Sequence, residues 1–294
     1  MVSKSYQHAP LLMTIVDVRF SDIPDFYGEG KLVQLESLLR EIGFVEKVIE
    51  KQQAVSFELT PDSEGRLLNT PKPTINPSEK QRWIFLNLDR TLSVFVAQDG
   101  LSIKSTDYTC HENYVATINQ IISKLTETFP SLLQGVMSRI GTRYLNLIVP
   151  KEGKTVGQYL NDEWLPNNTI PTELEVESGV HNRLMMNYKT KHGNLRIESN
   201  KFQPDADART PSILPSELMD SQETALIFKE SPWWWAQLDS KESYVILDID
   251  LSNPMREMFN SENITRLLNE MRSLTRPAFN MCITDEAKQD WIEL

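Results

Sequence analysis

The sequence predicts an α+β protein built from antiparallel β-meanders, each packed with a long amphipathic helix. Three observations carry this. Apolar residues alternate with a two-residue period in short runs split by tight turns, as in "TLSVFVAQDGLSIKST". Two segments, 111–129 and 263–274, repeat apolar residues at helical spacing. Strands come in groups punctuated by few helices, which favours segregated layers over a doubly wound parallel sheet. The order meander, loop, strand, long helix occurs in both 1–150 and 151–294. These are read as N-terminal and C-terminal α+β halves, pseudo-duplicated in pattern but not residue by residue. They stand either as separate units or around one shared core.

"LLMTIVDVRF" (11–20) is a β-rich run, followed by a loop containing Pro and Gly. "KLVQLESLLREIG" (31–43) places Leu32, Leu35, Leu39 and Ile42 on one helical face, and Gly43 is a fitting stop. A strand follows around 44–60, most clearly in "AVSFEL". The polar stretch carrying Pro61, Pro71, Pro73 and Pro77 reads as a long loop. "RWIFLNLD" and "TLSVFVA" flank a turn at Asp89-Arg90, and "QDG" leads into "LSIKST". That is a three-stranded meander, with Arg90 read as a solvated turn residue. The helix over 111–129 gathers Tyr114, Ile118, Ile121, Ile122, Leu125 and Phe129, with Thr109 as its N-cap and Asn113 as another candidate. "RYLNLIV" (143–149) returns as a strand that Pro150 ends.

In the second half "ELEVESG", "RLMMNYKTK" and "NLRIES" suggest another meander between 173 and 199. A polar loop (204–220), "ALIF" and the strand "SYVILDIDL" (243–251) follow. "NITRLLNEMRSL" supplies a helix with Ile264, Leu267, Leu268, Met271 and Leu274, and "DEAKQDWIEL" a short helix carrying Trp291.

The formal charge is −11, with 41 acidic against 30 basic residues and no run of Lys or Arg longer than two. Phosphate-backbone binding rests on clustered cations, so nucleic acid is not an expected partner. Cys110 and Cys282 lie far apart without a spacing pattern, which fits free thiols in a reducing cytoplasm. The opening residues lack a cleavable secretory pattern, and no segment reaches the length of a bilayer span, so a soluble, cytoplasmic protein is expected.

Motifs for catalysis are thin. "YGEGK" (27–31) precedes a helix but lacks the length of a phosphate-binding loop; a glycine-tolerant turn explains it. His8, His111, His181 and His192 are scattered, with no H-E-x-x-H, C-x-x-C or G-x-S-x-G. His111 follows Cys110 directly, but adjacent side chains point apart and make a poor nucleophile–base pair. No cofactor is expected. Asp248 and Asp250 share one strand face and are the alternative metal ligands, suited to a divalent cation in a phosphoesterase or nuclease. The plainer reading makes them a solvent face, with Val245, Leu247, Ile249 and Leu251 filling the core.

"RIGTRYLNLIV" resembles the R-I-G-x-R-Y-x-N signature of a sporadically distributed bacterial protein family without an assigned activity. "TIVDVRF", the meander from Trp83 to Tyr108, "ILDIDL" and the block from Phe279 to Glu286 resemble other parts of that family in order and spacing. The departures are Thr142, in place of a larger apolar residue, and Met271-Arg272, in place of a Leu-His pair. The resemblance implies a bacterial or mobile-element protein of an accessory system, of phage-defence or toxin–antitoxin type, and no reaction. Within the signature, alternation places Arg143, Leu145 and Leu147 on one face and Tyr144, Asn146 and Ile148 on the other. Tyr144 and Asn146 are either half-buried anchors of strand register, or Arg139 and Arg143 line a ligand or partner pocket.

"SPWWWAQLD" sets Trp233, Trp234 and Trp235 side by side, and neither helix nor strand can turn all three toward one core. They close a seam between the halves or form a partner interface, where Trp is favoured. The acidic neighbours Glu230 and Asp239 argue against a membrane surface. The expectation is a non-enzymatic protein-interaction component that binds another protein or a second copy of itself. The alternatives are the metal-dependent phosphoesterase or nuclease using Asp248 and Asp250, and a nucleotide or nucleic-acid sensor using Arg139 and Arg143.

Overall fold

The computed structural model describes residues 10–58, 72–166, 181–202, 214–215, 218–228 and 243–291, with backbone alone for 52–58, 72–80 and 181. Nine strands make one antiparallel sheet: β1 (Leu11–Phe20), β2 (Phe44–Glu58), β3 (Lys72–Asn87), β4 (Leu92–Ala97), β5 (Gly100–Ser105), β6 (Val136–Ile148), β7 (His181–Thr190), β8 (Gly193–Phe202) and β9 (Tyr244–Met258). Among the described residues four α-helices accompany them: α1 (Lys31–Arg40), α2 (His111–Thr128), α3 (Ser261–Cys282) and α4 (Asp285–Asp290). The architecture is mixed α+β. No described helix is long and apolar enough to cross a membrane.

The strand order β2-β3-β4-β5-β1-β6-β9-β8-β7 places β1 and β6 side by side in the middle. From β1 the chain runs out to the edge at β2 and returns through β3, β4 and β5 to pair with β1, and α2 follows. From β6 it runs out to β7 and returns through β8 and β9 to pair with β6, and α3 follows. One sheet thus contains both halves, and the principal core lies between it and the helices.

Helical spacing explains that core. α2 buries Tyr114, Ile118, Ile121, Ile122 and Leu125, and α3 buries Ile264, Leu267, Leu268 and Met271. Each such side chain contributes about 1.5–3 kcal/mol. The helix boundaries differ from the expected ones. Cys110, not Thr109, occupies the N-cap of α2, and the Thr109 hydroxyl instead accepts from Asn113 Nδ2 at 3.3 Å. α3 runs on through Pro277, because the buried stripe of Met271, Thr275, Ala278 and Cys282 continues past it.

The sheet departs from expectation at β3. Residues 72–80, read as loop because of Pro73 and Pro77, pair with β2, Pro73 opposite Phe57 and Pro77 opposite Gln53. β4 pairs with β3 only over 82–86, so this stretch has one unladdered side, where a missing N–H costs nothing. Gly193, at φ 122, opens β8, and a Cβ there would collide with the Ser252 carbonyl of β9. Arg90 is likewise more than a solvated turn residue: its Nε donates to Glu46 at 3.1 Å.

The second face of the sheet carries smaller apolar clusters, around Met13, Ile15 and Leu145 and around Ile84, Leu86 and Phe95. A crossing segment covers them with Leu214, Leu218, Leu226 and Phe228. It is fastened by Asp220, which accepts from Lys104 at 2.7 Å, and by Ile227, whose N–H donates to the Arg90 carbonyl at 2.7 Å. "ELEVESG" and Trp233, Trp234 and Trp235 lie outside the described residues.

Candidate functional site

The two-residue period that fills the helix-side core also sends polar side chains of the central strands to the second face. Asp17 and Arg19 of β1, Arg139 and Arg143 of β6, and Asp248 and Asp250 of β9 all take that side. Cross-strand register sets them as neighbours. Arg19 is opposite both Gly100 and Arg139, Asp17 opposite both Ser102 and Gly141, and Arg143 opposite both Ile15 and Asp250. Between them lies a cleft of about 290 Å³. Its cations are Arg19, Arg82, Lys104, Arg139 and Arg143, and its carboxylates Asp17 and Asp250. Ile15, Phe95 and Leu218 supply apolar wall, and glycines 100 and 141 the floor.

The arginines of the signature differ in state. Arg143 Nε donates to both Asp248 oxygens at 3.0 Å and Nη2 donates to Oδ2 at 2.6 Å. Asp248 is only 1% exposed, so the solvent-face reading fails for it. Burial pushes its carboxyl pKa up, opposed by the hydrogen bonds and charge of Arg143 and then the charge of Arg196. Asp250 stays nearer solvent and pairs with Arg196 at 3.3 Å. Arg139 is open, with its side chain 43% exposed and Nη1 donating to Asp17 Oδ1 at 3.1 Å.

Tyr144 and Asn146 face the helices instead. Asn146 Nδ2 donates to the Leu247 carbonyl of β9 at 3.2 Å, where register also pairs the two residues. Arg272 of α3 lies 5.9 Å from the Tyr144 ring centre, and Tyr108 meets that ring edge-on at 6.4 Å. The signature therefore divides by face, with anchors beneath the sheet and arginines above it. Arg272 thus links the second half's helix to the central strand.

The strand pair holding Asp248 does not make a cation site. A divalent ion there would have to displace the Arg143 guanidinium and sit beside Arg196, and like charges in a buried site repel strongly. Among the described residues no group of three His, Cys, Asp or Glu side chains converges. Compared with protein-family models, curated proteins and solved structures, the chain matches none.

Arg19, Arg82 and Lys104 are cleft residues that the sequence reading did not single out. A signal existed: Asp17 and Arg19 alternate within "IVDVRF", putting charge on one face of an otherwise apolar strand. The third dimension was missing, because the residues come from strands whose neighbours only topology supplies.

His111 sits apart from the cleft, at the start of α2, with Nε2 2.8 Å from Asn269 Oδ1 of α3. Burial holds its pKa below the ordinary range, against the Asn269 bond, with Arg272 lowering and Glu112 raising it. The fold keeps the ring neutral, while the unfolded chain takes up a proton near pH 6.5. This stability is present above that pH and is lost as pH falls through the window below it. Thermal unfolding should show a fall in Tm from about pH 7 to about pH 5 that is shallower in His111→Gln. Parallel slopes would remove His111 as the cause.

Proposed function

We propose that this chain is a non-enzymatic protein-interaction component of a bacterial accessory system, and that the second sheet face is its recognition surface. The observation that carries the reading is the convergence of five cationic side chains on one cleft of a chain whose net charge is −11. Its innermost guanidinium is committed to Asp248, which leaves the more exposed cations to meet a partner. Such a surface selects a partner by charge and shape. Trp233, Trp234 and Trp235, the accessory-system context and an assembly with a second copy belong to this proposal. So does pseudo-duplication: a central strand, an excursion to the sheet edge, a return and a long helix occur twice in the topology.

The test is affinity capture of the tagged full chain from a bacterial host, beside Arg139→Glu. The wild-type chain is expected to retain a protein partner, and the charge reversal to lower recovery by about tenfold or more. Absence of any partner, together with a monomeric mass in solution, would overturn the reading.

A further inference from the structure

We propose that the cleft binds an oxyanion, a carboxylate or phosphate group, at Arg139 and Arg19. This inference rests on the recognition surface proposed above and names the chemistry that the surface reads.

The cations of the cleft are not equivalent. Arg143, Lys104 and Arg82 each have a carboxylate of their own, in Asp248, Asp220 and Glu50 respectively. Arg139 and Arg19 both lean on Asp17, and Arg19 also lies near Asp99. Both approach the same Asp17 oxygen, Oδ1, at 3.1 and 3.4 Å, and Arg19 reaches Asp99 only at 3.7 Å. Their side chains are 43% and 48% exposed, against 14% for Arg143. Two exposed guanidinium groups thus flank Asp17, and each carries five donors in a planar fork suited to a two-oxygen acceptor.

The floor keeps these forks accessible. A Cβ at Gly100 would lie 2.9 Å from Arg19 Nη1, and one at Gly141 would lie 3.4 Å from Arg139 Nη2. Both guanidinium groups therefore run close over glycine backbone, where a side chain would crowd them. A neighbouring cation of the lining already holds a carboxylate: Lys104 donates to both Asp220 oxygens at 2.7 Å. The cleft volume of about 290 Å³, bounded by Leu218 and Phe95, fits one small anion or one acidic or phosphorylated side chain, not a polymer backbone.

Inorganic phosphate and succinate are the probes, titrated into the full chain at constant ionic strength and followed by calorimetry and thermal shift. Both are expected to bind and raise Tm. Arg139→Gln and Arg19→Gln are expected each to weaken binding by about tenfold or more. Arg139→Lys, which keeps the charge but not the fork, should weaken it less. Arg266→Gln on the helix side is the control and should bind like wild type. No binding, or equal binding by wild type and Arg139→Gln, overturns the inference. Competition separates two sources of the group. If phosphate releases a captured protein partner, the oxyanion belongs to that partner. If phosphate binds and the partner stays, it belongs to a free small molecule. A partner that persists when no anion binds sinks this inference alone. Anion binding without any partner sinks only the interaction reading.

Discussion

Arg143→Ala is expected to destabilise the fold by about 3–5 kcal/mol, because it leaves a buried carboxylate without its counter-charge. Asp248 is 1% exposed and accepts three hydrogen bonds from Arg143, at 2.6 to 3.0 Å. Its remaining cation, Arg196, stands 3.6 Å away. The double variant Arg143→Met with Asp248→Leu should lose far less, since it removes both charges and keeps volume. The pH dependence fixes the cause. Burial already raises the Asp248 pKa, and losing Arg143 raises it further. The folded variant then holds a proton that the unfolded chain releases above about pH 3.9. Its stability should fall as pH rises from there through the raised pKa. Urea unfolding of the single and double variants checks this; equal losses in both would show that the charge is not what matters.

Phe26→Ala should cost a similar amount, about 3–5 kcal/mol. Phe26 comes from the connection between β1 and α1, yet it is fully buried. Its ring stacks on Trp83 of β3 at 4.1 Å and on Phe129 after α2 at 5.7 Å. Removing it opens a void at the point where a loop, a strand and a helix end meet. A loss below about 1 kcal/mol in denaturant unfolding would mean that neighbouring rings collapse into the space.

These two residues also mark what the sequence could and could not disclose. Apolar alternation in 92–103 and helical spacing in 111–129 gave element types correctly, because one-face burial imposes its period directly on the chain. Phe26 carries no such period: it is a lone aromatic in a loop, and only the approach of Trp83 and Phe129 makes it core. Pro73 and Pro77 argued for loop because nothing local reveals that one side of a strand is unladdered. The cleft was half legible. Arg139 and Arg143 stood out through the resemblance of "RIGTRYLN" to a family signature, whereas Arg19, Arg82 and Lys104 join them through strand order. Asp248 looked solvent-facing because alternation tells which side a residue takes, not what covers that side.

The strand order has a consequence for assembly. β7 and β8 form a hairpin with each other, but β8 reaches the rest of the sheet only through β9. β9 is the last of the described strands in chain order, and it must slide between β8 and β6 along both edges at once, with Tyr244 beside Phe202 on one side and Val245 beside Ile148 on the other. Until it arrives, β6 presents an open edge and the hairpin has no berth. The first half closes through a single strand too, β5 bringing β2, β3 and β4 onto β1 with Gly100 beside Arg19, but β5 follows β4 through a tight turn whereas a long connection precedes β9. Non-local closure of this kind is slow and exposes unpaired edges meanwhile. β9 is the keystone strand, and the half-built arch before it is the stage at which this chain is most vulnerable to pairing with the wrong neighbour.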